Sequence, residues 1–387
     1  MNQFSSIFGQ ILQVFPKSEF YRAVKETQSE KGAKGFTSWG QFVAMLFCQL
    51  GQARSLREIC GGLASCLGKL KHLGIEAAPS RSTLSYANEK RPWQLYEKIF
   101  SQLLEKCRAI APGTKKFRFK NKLFSLDASV IDLCASLFDW ATFRQTKGAV
   151  KLHLLLDHDG YLPVFAHITE GSVHEVTIAQ GLSFPKGSIV ACDRGYTDYA
   201  LFARWNTEGV FFVTRQKDNA DYTVVEERMV PQNRNILEDQ IIMLNGYLSK
   251  KKYPYRLRRI EVWDEEKKER IILLTNHLTF GSTTIAAIYR DRWQIEIFFK
   301  TIKQNLKIKT FVGTSPNALK TQIWIALIAI LLLKYLKFRS RFAWSLSNLI
   351  AMLRYNLFTY RDLWAWIDSP YEVPPMVPVG EQLTLAL

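Results

Sequence analysis

The feature that most limits how this chain can fold is a change of hydrophobic period at residue 123. Upstream, apolar residues recur at helical spacing, as in Phe42, Val43, Leu46, Phe47 and Leu50, with Thr37-Ser38 as an N-cap. Downstream the spacing shortens to that of strands. Residues 123–131 read as one strand, 150–156 as a second, and Asp159-Gly160 as the turn into a third over 162–168. A helix over 174–182 follows, then the short apolar run 188–192, which has the character of a buried strand. A helix from Asp198 through Trp205 and a strand over 210–214 complete the series. Three strands joined by tight turns, then helix–strand–helix–strand, predict an α/β sheet of mixed direction.

On either side of this series the pattern differs. Residues 1 to about 110 read as short helices: one from Ser55 that stops at Gly61-Gly62, another ended by Gly74, and a capped one beginning at Pro79-Ser80 and closing near Arg91-Pro92. With Arg81, Ser82, Thr83, Ser85 and Asn88 exposed at its start, the last suits a helix-turn-helix-like DNA reader, and equally a plain bundle with one polar helix. Residues 222–230, 241–244, 255–263 and 271–274 look like strands of an antiparallel insertion made basic by Lys250, Lys251, Lys252, Arg256, Arg258 and Arg259. The almost wholly apolar run 323–333 is closed off by Lys320 and Lys334, short of the ~20 residues a bilayer needs, so it reads as a buried core helix. A helical pattern continues to about Leu363, and the proline-rich tail after Pro370 is expected to be loosely held. These shifts divide the chain into a helical region 1–112, an α/β part 113–217, a β insertion 218–278, a second α/β part 279–345 and a C-terminal helical segment and tail 346–387.

Two carboxylates interrupt stretches that the fold would keep apolar. Asp127 lies inside the first strand, where a lone charge is costly unless it meets a cation, and Asp193 lies at the end of a buried strand, where α/β sheets place ligands. A buried arginine partner for Asp127 and a helix-capping role for Asp193 would explain them too. Other aspartates have local explanations: Asp132 points to the opposite face, Asp157 and Asp159 flank a turn, and Asp198 caps a helix. The six cysteines form no Cys-x-x-Cys pair, so neither a zinc site nor a disulfide framework is indicated. A formal charge of +17 selects a polyanionic partner, nucleic acid or an acidic membrane surface. The run Lys115-Lys116-Phe117-Arg118-Phe119-Lys120-Asn121-Lys122, cations alternating with aromatics, suits phosphate contact or a solvated edge with two core anchors.

The third carboxylate belongs to the stretch 289–303. As a helix it gathers Ile295, Phe298, Phe299 and Ile302 on one side and Tyr289, Arg292, Glu296, Lys300 and Lys303 on the other. By itself this is also what a solvated face with a Glu296–Lys300 pair looks like.

The spacing Tyr289-x2-Arg292-x3-Glu296-x6-Lys303 resembles the Tyr–Arg–Glu–Lys signature of the fourth insertion-sequence family of DDE transposases. Ser125-Leu126-Asp127 is similar to the surroundings of that family's first aspartate, and Ala191-Cys192-Asp193-Arg194-Gly195-Tyr196 to those of its second. The resemblance runs from about residue 115 to 345. It implies a ribonuclease-H-like mixed sheet with an inserted antiparallel β subdomain, preceded by an all-α N-terminal DNA-binding domain. It implies catalysis by Asp127, Asp193 and Glu296 on two Mg²⁺ ions, for which Mn²⁺ can substitute, with Asp127 shared between them. Contacts to double-stranded DNA, both terminal inverted repeats and target, would come from Tyr289, Arg292, Lys300, Lys303, Arg194, Arg81, Lys116 and Arg118. It further implies a homodimer on DNA, no membrane, and action in the bacterial cytoplasm at the nucleoid. In relatives a freed 3′-OH attacks the opposite strand to give a hairpin, and Trp263 and Trp293 are candidates to stack on a flipped base. A nuclease or resolvase without strand transfer and a non-catalytic DNA-binding regulator are the rival expectations.

Overall fold

A computed structural model describes residues 4–372, apart from 67, 114, 115, 135–137, 139, 141, 145, 146, 233, 307 and 309. The proline-rich tail expected to be loosely held lies almost wholly outside the described residues.

Six helices come first: α1 (Ile7–Leu12), α2 (Lys17–Thr27), α3 (Ser38–Leu50), α4 (Leu56–Ala64), α5 (Arg81–Lys90) and α6 (Gln94–Ile110). Their starts follow the capping residues of the sequence. Thr37 accepts from the Gly40 N–H, Ser55 from Glu58 and Ser80 from Thr83. One expectation fails here: α4 does not stop at Gly61-Gly62 but runs through both. Gly62 answers to packing, since a Cβ there would lie 2.9 Å from the Phe47 ring.

Ten strands then build one sheet: β1 (Leu123–Leu133), β2 (Thr142–Arg144), β3 (Lys147–Asp157), β4 (Leu162–Glu170), β5 (Ile189–Cys192), β6 (Phe211–Arg215), β7 (Tyr222–Glu227), β8 (Ile236–Leu244), β9 (Leu257–Asp264) and β10 (Glu269–Thr275). The short helices α7 (Glu175–Ala179), α8 (Tyr199–Thr207) and α9 (Tyr247–Lys252) lie between them. At its heart the order is β4-β3-β1-β5-β6, with β3 antiparallel to both neighbours and β1, β5 and β6 parallel. That is the ribonuclease-H-like arrangement. The basic insertion continues the same sheet: β10 pairs antiparallel with β6, and β9, β8 and β7 follow outward.

Five helices close the chain: α10 (Ser282–Asp291), α11 (Trp293–Asn305), α12 (Pro316–Arg339), α13 (Leu346–Asn356) and α14 (Leu363–Asp368). The stretch expected as one helix is therefore two, joined at Arg292, which ends α10 and begins α11. The run 323–333 is the middle of the 24-residue α12, and 89% of its most apolar window is buried within the protein. It packs on α3, α5, α6 and α13, with Trp324 stacked on Trp93. One apolar core thus runs from the N-terminal helices through α12 to the sheet. On the opposite sheet face, Phe124, Leu126, Val190 and Cys192 pack with Leu201, Phe202 and Trp205 of α8.

Candidate active site

Strand register brings the two aspartates together. In parallel pairing, Ser125 lies beside Ala191 and Leu126 beside Cys192. The next residues along these two chains are Asp127 and Asp193. Alternation puts both on the face of Leu123, Ile189 and Ala191, which packs against Ile285 and Ile288 of α10. The Asp193 carboxylate also accepts from the Gly195 N–H at 2.5 Å, so it caps the turn Arg194–Tyr196 as well as facing the site. A Cβ at Gly195 would lie 2.8 Å from that oxygen, so a larger residue there would have to displace the Asp193 carboxylate.

Glu296, in the first turn of α11, reaches the same place through Arg292. The Arg292 guanidinium donates to Asp127 Oδ2 at 3.3 Å and to Glu296 Oε1 at 2.8 Å. Burial pushes the Asp127 carboxyl up to about 7; Arg292 and the Ala128 N–H oppose this, and the nearby charges of Asp193 and Glu296 add to it. Burial works against the charge of Arg292, but Tyr289, Asp127 and Glu296 outweigh it and raise its pKa. Its Nε–H is buried with no acceptor among the described residues. Tyr289 lies under it, ring centre 5.4 Å from the guanidinium carbon, and burial raises the phenol above its usual range.

All three donors are carboxylates, the oxygen set that suits hard divalent cations. As they stand, a guanidinium separates two of them. Among the described residues no group of three His, Cys, Asp or Glu side chains is gathered closely enough to hold an ion.

The remaining expected DNA contacts scatter. Lys303 donates to the Val130 carbonyl at 2.7 Å, tying α11 to β1 near Asp127. Lys300 is exposed on α11, and Arg118 is exposed in the segment before β1. Lys116 pairs with Asp291. Arg194 is half exposed and 3.4 Å from Asp218. Arg81 lies apart on α5, in a shallow cleft with Arg54, Arg57 and Phe311. The stripe expected to be a cationic surface is thus partly internal, because Arg292 is only 7% exposed. Of the two tryptophans, Trp293 is half exposed beside Arg292, with the Lys267 ammonium over its ring, and Trp263 is half buried on β9.

Sequence reasoning missed a buried chain of hydrogen bonds. His158 Nε2 lies 2.7 Å from Ser125 Oγ, and His158 Nδ1 lies 2.7 Å from Asp291 Oδ2. Tyr161 also donates to Asp291, at 3.2 Å. The only local signal was that Asp291 is an acidic residue in a largely apolar helix.

Fold and site together define a class: a ribonuclease-H-like protein with acidic residues within β1, just past the end of its parallel neighbour β5, and on the helix α11 that packs against β1. Residues 118–332 match the model described as "Transposase DDE domain", and residues 3–76 match a domain of unknown function. The chain belongs to the DDE transposases and is an enzyme of DNA cleavage and transfer, of the insertion-sequence kind. It is 29% identical over 326 residues to a putative transposase, y4zB, of Sinorhizobium fredii, covering 83% of this chain and 88% of that one. It is 25% identical over 257 residues to the probable transposase for insertion sequence element IS5377 of Geobacillus stearothermophilus, covering 66% and 67% respectively. It superposes on the piggyBac transposase of a synaptic complex with hairpin DNA at a TM-score of 0.47 and 11% identity, over 97% of this chain and 84% of that one.

Proposed function

We propose that this transposase binds the terminal inverted repeats of its own insertion sequence, cleaves there by metal-dependent hydrolysis at Asp127, Asp193 and Glu296, and joins the freed 3′ ends to target DNA. The observation that carries the reading is the convergence of Asp127 and Asp193 on neighbouring parallel strands with Glu296 tied to Asp127 through Arg292, a setting in which the partly buried Asp127 carboxyl is pushed up to about 7. Three carboxylates facing one guanidinium leave an excess of negative charge that a divalent cation would offset. Two Mg²⁺ ions, or Mn²⁺ in their place, held by these three carboxylates would activate the attacking oxygen and stabilise the leaving one.

In the first step a water oxygen forms a bond to phosphorus as the bond to the 3′ oxygen breaks. This leaves a 5′-phosphate and a 3′-OH, whose proton comes from the water. In the second, that 3′ oxygen attacks a phosphorus of the opposite strand, closing a hairpin and expelling that strand's 3′ oxygen; hydrolysis reopens the hairpin before the end is joined to target. Arg292 would exchange its two carboxylates for a DNA phosphate, an acceptor of the same geometry for a guanidinium. Its buried Nε–H, without an acceptor among the described residues, is in keeping with such a partner. Tyr289, Lys300 and Lys303 would line the same backbone, and Arg194, Lys116 and Arg118 its continuation. Trp293, half exposed at the start of α11, suits stacking on a displaced base. Arg81 on α5 would hold the DNA further out, a homodimer would bring two ends together, and the work would be done on the bacterial nucleoid.

Asp127→Ala, Asp193→Ala and Glu296→Ala should each abolish Mg²⁺-dependent nicking of a duplex carrying the terminal repeat while leaving binding to it intact. Full activity in any one removes that residue from the site. Nicking without any joined product from a supplied 3′-OH end would reduce the function to that of a nuclease.

A further inference from the structure

The hydrogen-bonded chain through His158 touches both arms of the candidate site. Ser125, at one end, lies on β1 two residues before Asp127 and points to the same face. Asp291, at the other, immediately precedes Arg292 at the α10–α11 junction. The His158 backbone N–H donates to the Leu123 carbonyl at 3.0 Å, and Lys334 of α12 donates to the Gly160 carbonyl at 2.9 Å, so the turn bearing the histidine is itself fastened. Ser125, His158 and Asp291 are each at most 1% exposed. Apolar side chains could fill this space without the desolvation that three buried polar groups incur. A fully satisfied polar chain gives instead one fixed geometry.

We propose that His158 is a positioning residue: joined to Ser125 and Asp291, it sets the spacing between the strand that carries Asp127 and the helix junction that carries Arg292 and Glu296, and thereby the affinity of the site for divalent metal. The proposal rests on reading the three carboxylates as metal ligands. It assigns the histidine no contact with substrate and no proton transfer. Outer partners of this kind orient the groups that bind, and their loss weakens metal affinity by roughly 10–100-fold.

The test is Mn²⁺ binding to the full chain with a duplex DNA present, followed by the electron paramagnetic resonance of the free ion, with thermal melting of each variant alongside. His158→Phe keeps a ring of similar size and loses both hydrogen bonds. Ser125→Ala removes one hydroxyl and keeps the fold if the larger change does not. Both should melt above the assay temperature yet bind Mn²⁺ roughly tenfold or more weakly. His158→Asn, whose amide can replace Nδ1 as donor to Asp291, should recover part of the loss, which general loosening of the core would not allow. Folded His158→Phe or Ser125→Ala protein that binds Mn²⁺ like the parent overturns the assignment. Asp127→Ala separates the two claims. If it loses Mn²⁺ while the His158 and Ser125 variants keep it, only the positioning role falls; if it binds like the parent, or the parent binds none, the carboxylate reading falls with it.

Discussion

Arg292 Nη1 lies 3.3 Å from Asp127 Oδ2, a contact between residues 165 apart in the chain. Because Nη2 of the same guanidinium holds Glu296, an internal cation balances the acidic site without metal or DNA. One side chain thus bridges, and partly neutralises, two carboxylates that would otherwise repel one another.

Replacing Arg292 should therefore destabilise the metal-free protein more than the metal-loaded one. Arg292→Ala leaves two partly buried carboxylates without their partner, a loss of about 2–4 kcal/mol by the usual cost of breaking such pairs, reduced for the partial exposure of Glu296. Excess Mg²⁺ should shrink the difference, since a bound ion would take over the neutralisation. Arg292→Lys, a point charge that cannot span both carboxylates, should fall between. Melting in EDTA and in Mg²⁺ checks the order, and an equal loss in both buffers would refute it.

The raised Asp127 carboxyl gives stability a pH dependence of definite sign. It titrates at about 7 in the folded protein, so between roughly pH 4 and 7 the folded protein holds a proton that the unfolded chain has released. Stability from this group is fully present below about pH 4 and is lost as pH rises through about 7. In metal-free buffer Asp127→Asn should escape that loss. The ceiling is about 4 kcal/mol, at about 1.36 kcal/mol for each tenfold change in proton affinity. Weakening of the Arg292 contact brings the expected gain to about 1–3 kcal/mol at pH 8, vanishing near pH 4. Urea unfolding at the two pH values measures it; a loss of stability at pH 8 on Asp127→Asn would count against the buried, near-neutral carboxylate.

The two aspartates were legible in the sequence because each breaks a hydrophobic pattern that the fold imposes, whereas Glu296 was legible only through its spacing from Tyr289, Arg292 and Lys303. Asp127 sits among strand residues, Asp193 at the end of Ile189–Cys192, and Glu296 on the polar side of an amphipathic helix. What period cannot convey is long-range pairing. The break at Arg292 has no glycine or proline to announce it, and β10 joins β6 through backbone hydrogen bonds that any strand could make. Gly61-Gly62 looked like a stop and is helical, since a glycine without a Cβ serves the Phe47 ring as readily as a turn. His158 falls between Asp157 and Asp159, which read as turn residues, and its partner Asp291 lies 133 residues away.

Tyr196, in the motif that follows Asp193, is 1% exposed, and its hydroxyl has no hydrogen-bond partner among the described residues. Burial raises the phenol far above its usual range, and the charge of Asp127 adds to this. A buried donor without an acceptor is a net cost, so Tyr196→Phe should stabilise the free protein by ~1 kcal/mol. A higher melting temperature is the expected result, and a lower one would mean that the hydroxyl has an acceptor.

The inserted strands support the site from the far edge of the sheet. Arg258 of β9 holds Asp239 of β8 with two hydrogen bonds, at 2.8 and 2.6 Å, and both side chains are 3% exposed. The same guanidinium donates to the Phe280 carbonyl, directly before α10 begins, so the pair fixes the near end of the helix whose far end carries Asp291. Asp239→Ala strands a buried arginine and should cost about 3–5 kcal/mol. Glu265→Ala, which removes an exposed partner of Lys268, should change nothing measurable. Because α10 leads into Arg292 and Glu296, Asp239→Ala protein kept folded at low temperature should also nick more slowly than the parent. Unfolding curves and nicking rates on the same preparations decide it: a stability loss with unchanged nicking would mean that the insertion braces the sheet but does not set the position of the glutamate.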